Sequence, residues 1–291
     1  MTGEAKDRMV KKEDRDWPMR LKMHKGMPNL LHVRGRLPGE EEKTAAIVGA
    51  RMCSPYGRQQ AFLFGKALAE AGVSVISGMA RGVDSYAHAG ALEAAGRTYG
   101  VLGCGLDICY PAQNRRLYEQ IPEKGGLISE FSMGVKPLGK HFPMRNRIIS
   151  ALSDIVLVVE AKERSGSLIT ADFALEQGKD VFAVPGRVED ALSAGCNRLI
   201  AQGAGIALCP EMLLEAMGIR EENKKSLGKN TKMGLATDMD LVYSCVDLQP
   251  KELYRILEEV SLPAERTMEI LLQLQMEGKV LEVFRNCYVK V

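Results

Sequence analysis

The sequence repeats one unit: a short apolar segment, a turn of glycine or small residues, and a stretch with helical spacing of apolar residues. Such apolar segments occur at 45–49, 73–77, 99–102, 127–131, 155–159, 181–184 and 205–208. Strands buried on both faces read as continuous apolar runs, and helices between them indicate parallel strands. The chain therefore predicts an α/β fold, an extended Rossmann-like, doubly wound and mostly parallel sheet with helices on both faces.

Residues 141–170 form the strongest candidate for a ligand site. They comprise the run HFPMRNR at 141–147, the apolar strand 155–159, and the small polar segment 164–170 that opens a helix. We interpret the first run as a basic aromatic loop. A turn and helix N-terminus at the carboxyl end of a parallel strand commonly bind an anion. This stretch is therefore predicted to be the phosphate-binding centre.

The charges in this stretch favour a nucleic acid. Between Glu130 and Asp154 there is no acidic residue, and the basic residues are Lys136, Lys140, Arg145 and Arg147. Scattered basic residues often form only a solvated face, and Phe142 within the run suits core packing equally well. An aromatic ring beside cations nevertheless suits a single strand, because bases stack on the ring while the cations bind phosphates.

Two earlier turns belong at the same edge of the predicted sheet. The first offers Arg51 and Ser54, a cation and a hydroxyl suited to phosphate oxygens, but it lacks the G-x-G-x-x-G dinucleotide fingerprint. In the second, Gly78 allows either close approach to a ligand or simply a tight turn. We expect Asp84 to cap the next helix and His88 to be packed in the core rather than to act as a base.

Composition argues against a membrane protein. Hydrophobic residues make up 46% and charged residues 26% of the chain, and no apolar run approaches the length of a membrane span. The N-terminus carries mixed charges and lacks the apolar core of a secretory signal, so we expect a cytoplasmic protein. Residues 1–16 are expected to be loose, and residues 17–39 to form a lead-in element docked on the sheet.

The cysteines give no sign of a metal site or a disulfide framework. The chain has seven cysteines without C-x-x-C spacing, and its four histidines do not pair with them. We expect buried free thiols, with no metal and no cofactor.

The chain predicts four parts: an N-terminal tail and lead-in at 1–43, the Rossmann-like domain at 44–217, a lysine-rich linker at 218–235, and a small C-terminal winged-helix domain at 236–291. The last part has ten acidic and six basic residues and therefore a net charge of −4. Since the whole chain carries +2, the rest of the chain must carry +6. The predicted recognition helix, near 264–276, has Glu265 and Glu269 against only Arg266, and such an acidic helix is repelled by the phosphates that flank the major groove. We therefore expect this domain to bind protein or to regulate, not to read duplex DNA.

Five motifs occur together and in order: IVGAR at 47–51, SGMARGVD at 77–84, FPMRNRIIS at 142–150, SGSLITA at 165–171 and VPG at 184–186. In this arrangement the chain resembles the bacterial DNA-processing protein family, DprA or Smf, over about residues 17–217. There are two departures. Ala50 stands where the family usually has a small hydroxyl, and we expect no counterpart of a helical N-terminal module, found in some members, within these 291 residues.

The resemblance implies a homodimer that binds single-stranded DNA without base specificity and protects it. It also implies loading of a RecA-type recombinase onto DNA taken up in natural transformation. On the matching positions, the implied DNA contacts are Arg51, Gly78, Ala80, Phe142, Arg145, Arg147, Ser165, Gly166, Ser167 and Thr170. Ser54, Lys140 and Asn146 complete the predicted binding set.

The alternative is an enzyme of a related Rossmann-like family, the nucleotide phosphoribohydrolases. Fitted by spacing, Thr170 falls where their catalytic glutamate should stand, and a hydroxyl cannot replace the carboxylate that glycoside cleavage needs. Glu160 and Glu163 precede the turn and are the carboxylates that remain for such a role. A kinase or ATPase is disfavoured because G-x-x-x-x-G-K-[ST] is absent, and a purely structural dimer leaves the basic aromatic stretch unexplained. We predict a binding protein rather than an enzyme.

Overall fold

The computed structural model describes residues 7–219, 238–247, 250–260, 262–284 and 286–290. The chain divides into two compact units, Met1–Glu222 and Asn223–Val291. Nearly all of the predicted linker at 218–235 lies outside the described residues, so its boundaries stay a prediction.

The first unit is built on one nine-stranded sheet. Its strands are β1 Asp7–Lys11, β2 Leu30–Gly35, β3 Thr44–Val48, β4 Ser74–Ser77, β5 Thr98–Leu102, β6 Gly126–Ser129, β7 Ile155–Val158, β8 Asp180–Ala183 and β9 Gly205–Ile206. Their spatial order is β1-β2-β6-β5-β4-β3-β7-β8-β9, and every pair from β6 to β9 is parallel. The predicted Rossmann-like, mostly parallel sheet is confirmed.

Helices cover both faces of this sheet. They are α1 Met19–Lys22, α2 Pro55–Glu70, α3 Val83–Glu93, α4 Arg115–Lys124, α5 His141–Leu152, α6 Gly166–Glu176, α7 Ala194–Ala201 and α8 Pro210–Ala216. Because successive strand side chains point to opposite faces, β3 gives Ala46 and Val48 to one core, and Ala45 and Ile47 to the other. The first core packs against α1, α5, α6 and α7, and the second against α2, α3 and α8.

The order of strand addition reverses at β3. Strands β4, β5 and β6 follow on one side of it, and β7, β8 and β9 on the other. Such a reversal leaves a crevice at the carboxyl ends of the two central strands. The chain leaving β3 leads to Arg51 and the chain leaving β7 leads to α6, so two of the predicted phosphate-binding turns meet at this crevice.

The expectation of a loose N-terminus is wrong for the residues from Asp7 onward. Strand β1 pairs antiparallel with β2, which itself pairs antiparallel with β6. Val10 is buried opposite Leu31, and Nε and Nη2 of Arg34 donate to the Asp7 carboxylate at 2.6 and 2.8 Å. Three of the five residues of β1 are charged and only Val10 is buried, so the strand shows no apolar pattern in the sequence.

The predicted loop at 141–147 is helical, forming the first turns of α5. Pro143 is the third residue of this helix, where a backbone N–H has no partner within the helix and its loss costs little. Helical geometry also sorts the side chains. Phe142, Arg145, Asn146 and Ile149 share one face at spacings of three and four, whereas Arg147 belongs to another.

The second unit has the element order of a winged-helix domain. Its elements are α9 Asp238–Cys245, β10 Lys251–Glu252, α10 Leu253–Glu259, α11 Ala264–Met276, β11 Val280–Phe284 and β12 Cys287–Lys290, with sheet order β10-β12-β11. Ile256, Ile270 and Leu274 are buried in its core. Helix α11 exposes Met268, Leu272 and Met276, an apolar stripe on the predicted recognition helix. Its protein-binding role stays a prediction.

The cysteines are free, as expected, but not all of them are buried. Cys53, Cys104 and Cys196 are buried, whereas Cys109, Cys209, Cys245 and Cys287 are partly exposed. Within the described ranges there is no cluster of three or more His, Cys, Asp or Glu side chains placed to hold a metal ion. No helix in the described part of the chain is long and apolar enough to cross a membrane.

Candidate nucleic-acid interface

A cavity of about 670 Å³ opens at the crevice between β3 and β7. Its wall combines the turn after β3, one face of α5 and the segment leading into α6. The predicted binding residues in this wall are Arg51, Ala80, Phe142, Arg145, Asn146, Ser165, Gly166, Ser167 and Thr170. Gly78 lines a smaller adjoining cavity together with Arg51 and Phe142. Residues from four separate sequence segments therefore meet at one site.

Phe142 is the centre of an aromatic and cationic cluster in this cavity. The guanidinium carbon of Arg51 lies 4.8 Å from the Phe142 ring centroid, within the range of a cation–π contact. The Tyr110 ring stacks against Phe142 with centroids 5.7 Å apart and planes inclined by 29°. The site thus places a cation and a half-buried aromatic ring side by side, an arrangement that can bind a phosphate and stack a base.

The N-terminus of α6 forms the anion-binding part of the wall. Ser165 is the N-cap residue, its hydroxyl accepts from the Ser167 backbone N–H at 3.4 Å, and the two serine hydroxyls lie 2.8 Å apart. The Asn146 side-chain amide donates to the Gly166 carbonyl at 3.0 Å and so ties α5 to this turn. Free backbone N–H groups at the start of a helix attract phosphate oxygens.

Three exposed cations surround the opening: Arg51, Lys162 and Arg164. In the described part of the chain none of them forms an ion pair, so their charge is available to a phosphate. Neither Lys162 nor Arg164 was named in the predicted binding set, although Arg164 opens the segment 164–170 of the predicted phosphate-binding centre. Both lie within six residues after the end of β7, at the carboxyl edge where ligands bind, and this position was the signal that could have identified them.

Arg145 lies at the floor of the cavity rather than at its opening. Its side chain is only 4% exposed, and its Nη1 donates to the carbonyl oxygens of Gly78, at 2.6 Å, and of Val101. A Cβ atom on Gly78 would lie 2.5 Å from that Nη1, so the missing side chain makes room for the arginine. Burial lowers the pKa of Arg145 to about 10, and its guanidinium stays charged at neutral pH.

Asp84 joins the same buried network instead of capping its own helix as expected. Its Oδ2 accepts from the backbone N–H groups of Gly78 and Ala80 at 3.1 and 3.2 Å. Burial raises the pKa of Asp84, and the neighbouring charge of Arg145 opposes that rise. The pair fixes the loop after β4 and thereby the shape of the cavity wall.

Three residues of the predicted binding set lie outside the cavity wall. The Ser54 hydroxyl donates to Glu160 Oε1 at 2.5 Å and accepts from the Gly57 N–H at 3.0 Å, so it caps α2. Arg147 Nη2 donates to Glu130 Oε2 at 2.5 Å, which neutralises its charge on another face of α5. Lys140 is exposed at the N-cap position of α5, and its contact with DNA stays a prediction.

Glu160, a carboxylate that a hydrolase could use, is held by structural hydrogen bonds. It is only 4% exposed, and both its oxygens accept hydrogen bonds from Ser54, one from the backbone N–H at 2.8 Å and one from the hydroxyl. It does not line the cavity. A glycosidic carboxylate must reach the scissile bond, so this placement disfavours the hydrolase alternative.

His88 is packed in the core, as expected, and this makes the stability of the first unit depend on pH. Its Nδ1 lies 2.6 Å from the Thr98 hydroxyl, and burial lowers the pKa of His88 to about 3. In the unfolded chain the histidine has a pKa of about 6.5, so below that pH the unfolded state binds a proton that the folded state does not bind. The free energy of unfolding should fall as pH decreases from about 6.5, by up to about 1.4 kcal/mol per pH unit.

Urea unfolding followed by the fluorescence of buried Trp17, the only tryptophan, reports on this unit. The slope of the free energy of unfolding against pH, measured between about pH 7 and about pH 5.5, should be reduced in His88→Gln. The same slope should be much less affected in His24→Gln. An unchanged slope in His88→Gln would show that other groups cause the acid sensitivity.

Comparisons with known proteins agree with this geometry. Residues 8–218 match the family model described as DNA recombination-mediator protein A. Protein Smf of Escherichia coli (strain K12) is 46% identical over 200 residues, which cover 68% of this chain and 54% of that protein. The chain thus spans about half the length of this relative.

Two solved structures share the fold. The X-ray structure of DNA processing protein A (DprA) from Streptococcus pneumoniae matches with a TM-score of 0.68 at 39% identity, covering 72% of this chain and 74% of that chain. DNA processing protein A from Helicobacter pylori, solved for insight into its single-stranded DNA binding mode, matches with a TM-score of 0.64 at 27% identity. This match covers 74% of this chain and 97% of that chain. The family match over most of the first unit, the relatives and the five sequence motifs together show that this chain belongs to the DNA recombination-mediator protein A family, DprA or Smf.

Proposed function

We propose that this protein binds single-stranded DNA through the cavity at the β3–β7 crevice, without preference for sequence. The observation that carries the proposal is the juxtaposition of Phe142 and Arg51, 4.8 Å apart, in a cavity whose wall also contains the N-terminus of α6. An aromatic cluster beside groups that can bind phosphates matches the repeating chemistry of a single strand.

The geometry also favours a single strand over a duplex. In a duplex the bases are stacked on one another, so a base reaches an aromatic side chain only after it has been unpaired. The α5 face in the cavity wall presents Phe142 and Asn146, and the Asn146 amide is already bonded to the Gly166 carbonyl. Stacking and phosphate binding do not distinguish bases, and this supports binding independent of sequence.

We further infer a mediator role: the protein protects incoming single strands and delivers them to a RecA-type recombinase during natural transformation, acting as a homodimer without catalytic activity. Membership of the recombination-mediator family supports this inference, as does the H. pylori relative solved for its single-stranded DNA binding mode. The buried, hydrogen-bonded state of Glu160 supports a binding role over base release from nucleotides.

Fluorescence anisotropy of a labelled mixed-sequence single strand and of the matching duplex, each at two salt concentrations, tests the binding proposal. We expect tighter binding of the single strand. Its affinity should fall with salt, with a slope of about −0.7 in log K against log salt per phosphate neutralised. Stimulation of RecA filament formation on a coated strand is the readout for the mediator role.

Equal binding of both DNAs, or no binding, would contradict the proposal. Release of a free base from nucleoside monophosphates, followed by chromatography, would then support the hydrolase alternative. That activity should be absent if the cavity only binds DNA.

A further inference from the structure

Tyr110 is an aromatic residue of the cavity to which no role has been given. It follows β5 in sequence and lines both the main cavity and the smaller one beside it. Its side chain is 42% exposed, and its hydroxyl has no hydrogen-bond partner among the described residues. A tyrosine with an exposed ring and an unbonded hydroxyl beside a nucleic-acid cavity is placed to contact a ligand.

Phe142, in contrast, has little free surface for a base. The Arg51 guanidinium lies over its ring and Tyr110 stacks against it. A Cβ atom on Gly103 would come within 2.9 Å of the Phe142 Cδ1, so the backbone there touches the edge of the ring. The Arg145 guanidinium carbon also lies 6.0 Å from the ring centroid, so a base that stacks directly on Phe142 must compete with these neighbours for the ring.

We infer that Tyr110 is a second base-binding residue, the outer ring of a two-ring platform supported by Phe142. This inference rests on the proposed function. An unpaired base stacks on the exposed face of Tyr110 and continues the Tyr110–Phe142 stack outward. Arg51, on the Phe142 ring of the same cluster, is near enough to bind an adjacent phosphate. The ligand class is any single strand with intact bases, since every base has a π face.

The test compares affinities for a mixed-sequence single strand and for a strand of equal length whose bases are replaced by abasic sugars. Tyr110→Ala should bind the intact strand at least about fivefold more weakly than the unmodified protein, and Tyr110→Phe within about twofold. Tyr110→Leu, which keeps apolar packing on Phe142 but lacks a π face, should resemble Tyr110→Ala. On the abasic strand all four proteins should bind alike, because no base is present to stack.

Tyr254→Ala is the matched control. This tyrosine is 50% exposed but lies in the acidic second unit, and its loss should leave the affinity unchanged. Wild-type-like binding by Tyr110→Leu or Tyr110→Ala would overturn the inference. An equal loss on intact and abasic strands would also overturn it, because Tyr110 would then act only through the phosphate contact of Arg51. If the unmodified protein does not bind the single strand more tightly than the duplex, the proposed function itself fails. This result is distinct from a failure at Tyr110 alone.

Discussion

Arg51→Ala should weaken single-stranded DNA binding by between about tenfold and about a hundredfold, the range expected for losing one charge-assisted hydrogen bond to a phosphate. Arg51 is exposed, forms no ion pair within the described part of the chain, and lies over the Phe142 ring at the mouth of the cavity. Its charge is therefore free for the ligand. The salt dependence should change as well, because losing one phosphate contact makes the negative slope of log K against log salt shallower by about 0.7.

One further variant separates charge from shape at this position, and a second variant elsewhere is the matched control. Arg51→Lys keeps the positive charge but lacks the flat guanidinium, so it should retain the salt slope and recover only part of the affinity. Arg115→Ala removes an arginine that is 80% exposed on α4 and paired with Glu119, and it should bind normally. Anisotropy titrations measure all three. Normal binding by a well-folded Arg51→Ala protein would move the phosphate site elsewhere.

Arg145→Ala should destabilise the first unit by about 3–5 kcal/mol, the usual cost of removing one partner of a buried charged network. The carbonyl oxygens of Gly78 and Val101 would lose their hydrogen-bond donor. The buried Asp84 carboxylate would lose the nearby positive charge that opposes the rise in its pKa. This expectation differs from the sequence-based one, in which Arg145 bound the DNA backbone directly. Urea unfolding followed by Trp17 fluorescence gives the free energy of unfolding.

Arg116→Ala is the matched control for stability, because Arg116 is exposed and has no ion pair in the part of the chain that the structure describes. It should change the free energy of unfolding by no more than about 0.5 kcal/mol. Should Arg145→Ala keep the normal free energy of unfolding yet lose DNA affinity, the guanidinium would have to contact DNA, as the sequence motif suggested.

Much of the fold was predictable because its signals are local. Apolar strands such as Ile155–Val158 and the helical spacing that follows them depend on neighbouring residues, and their alternation implies a parallel sheet. The position of the site also followed, since turns at the carboxyl ends of parallel strands share one edge. Strand β1 was missed because its pairing with β2 is antiparallel and depends on one buried valine.

The roles of individual site residues were less predictable. Treating 141–147 as a loop made Arg145 and Arg147 equivalent, whereas the helix directs one to a buried network and the other to Glu130. Likewise, Ser54 looked free in sequence, but its hydroxyl bonds to Glu160, more than a hundred residues away along the chain. Hydrogen bonds between distant segments leave no trace in local composition.

The sequence by itself determined the class of fold, the edge of the sheet that carries the site, and the types of residue gathered there. Those properties depend on the period of the apolar pattern and on short motifs, both of which are local. Only the tertiary structure decided which of those cations face the cavity, and that Tyr110 stacks on Phe142 beneath an exposed surface. The physical reason is that burial, ion pairing and ring contact are set by residues far apart in the chain, which the folded sheet brings within a few ångströms.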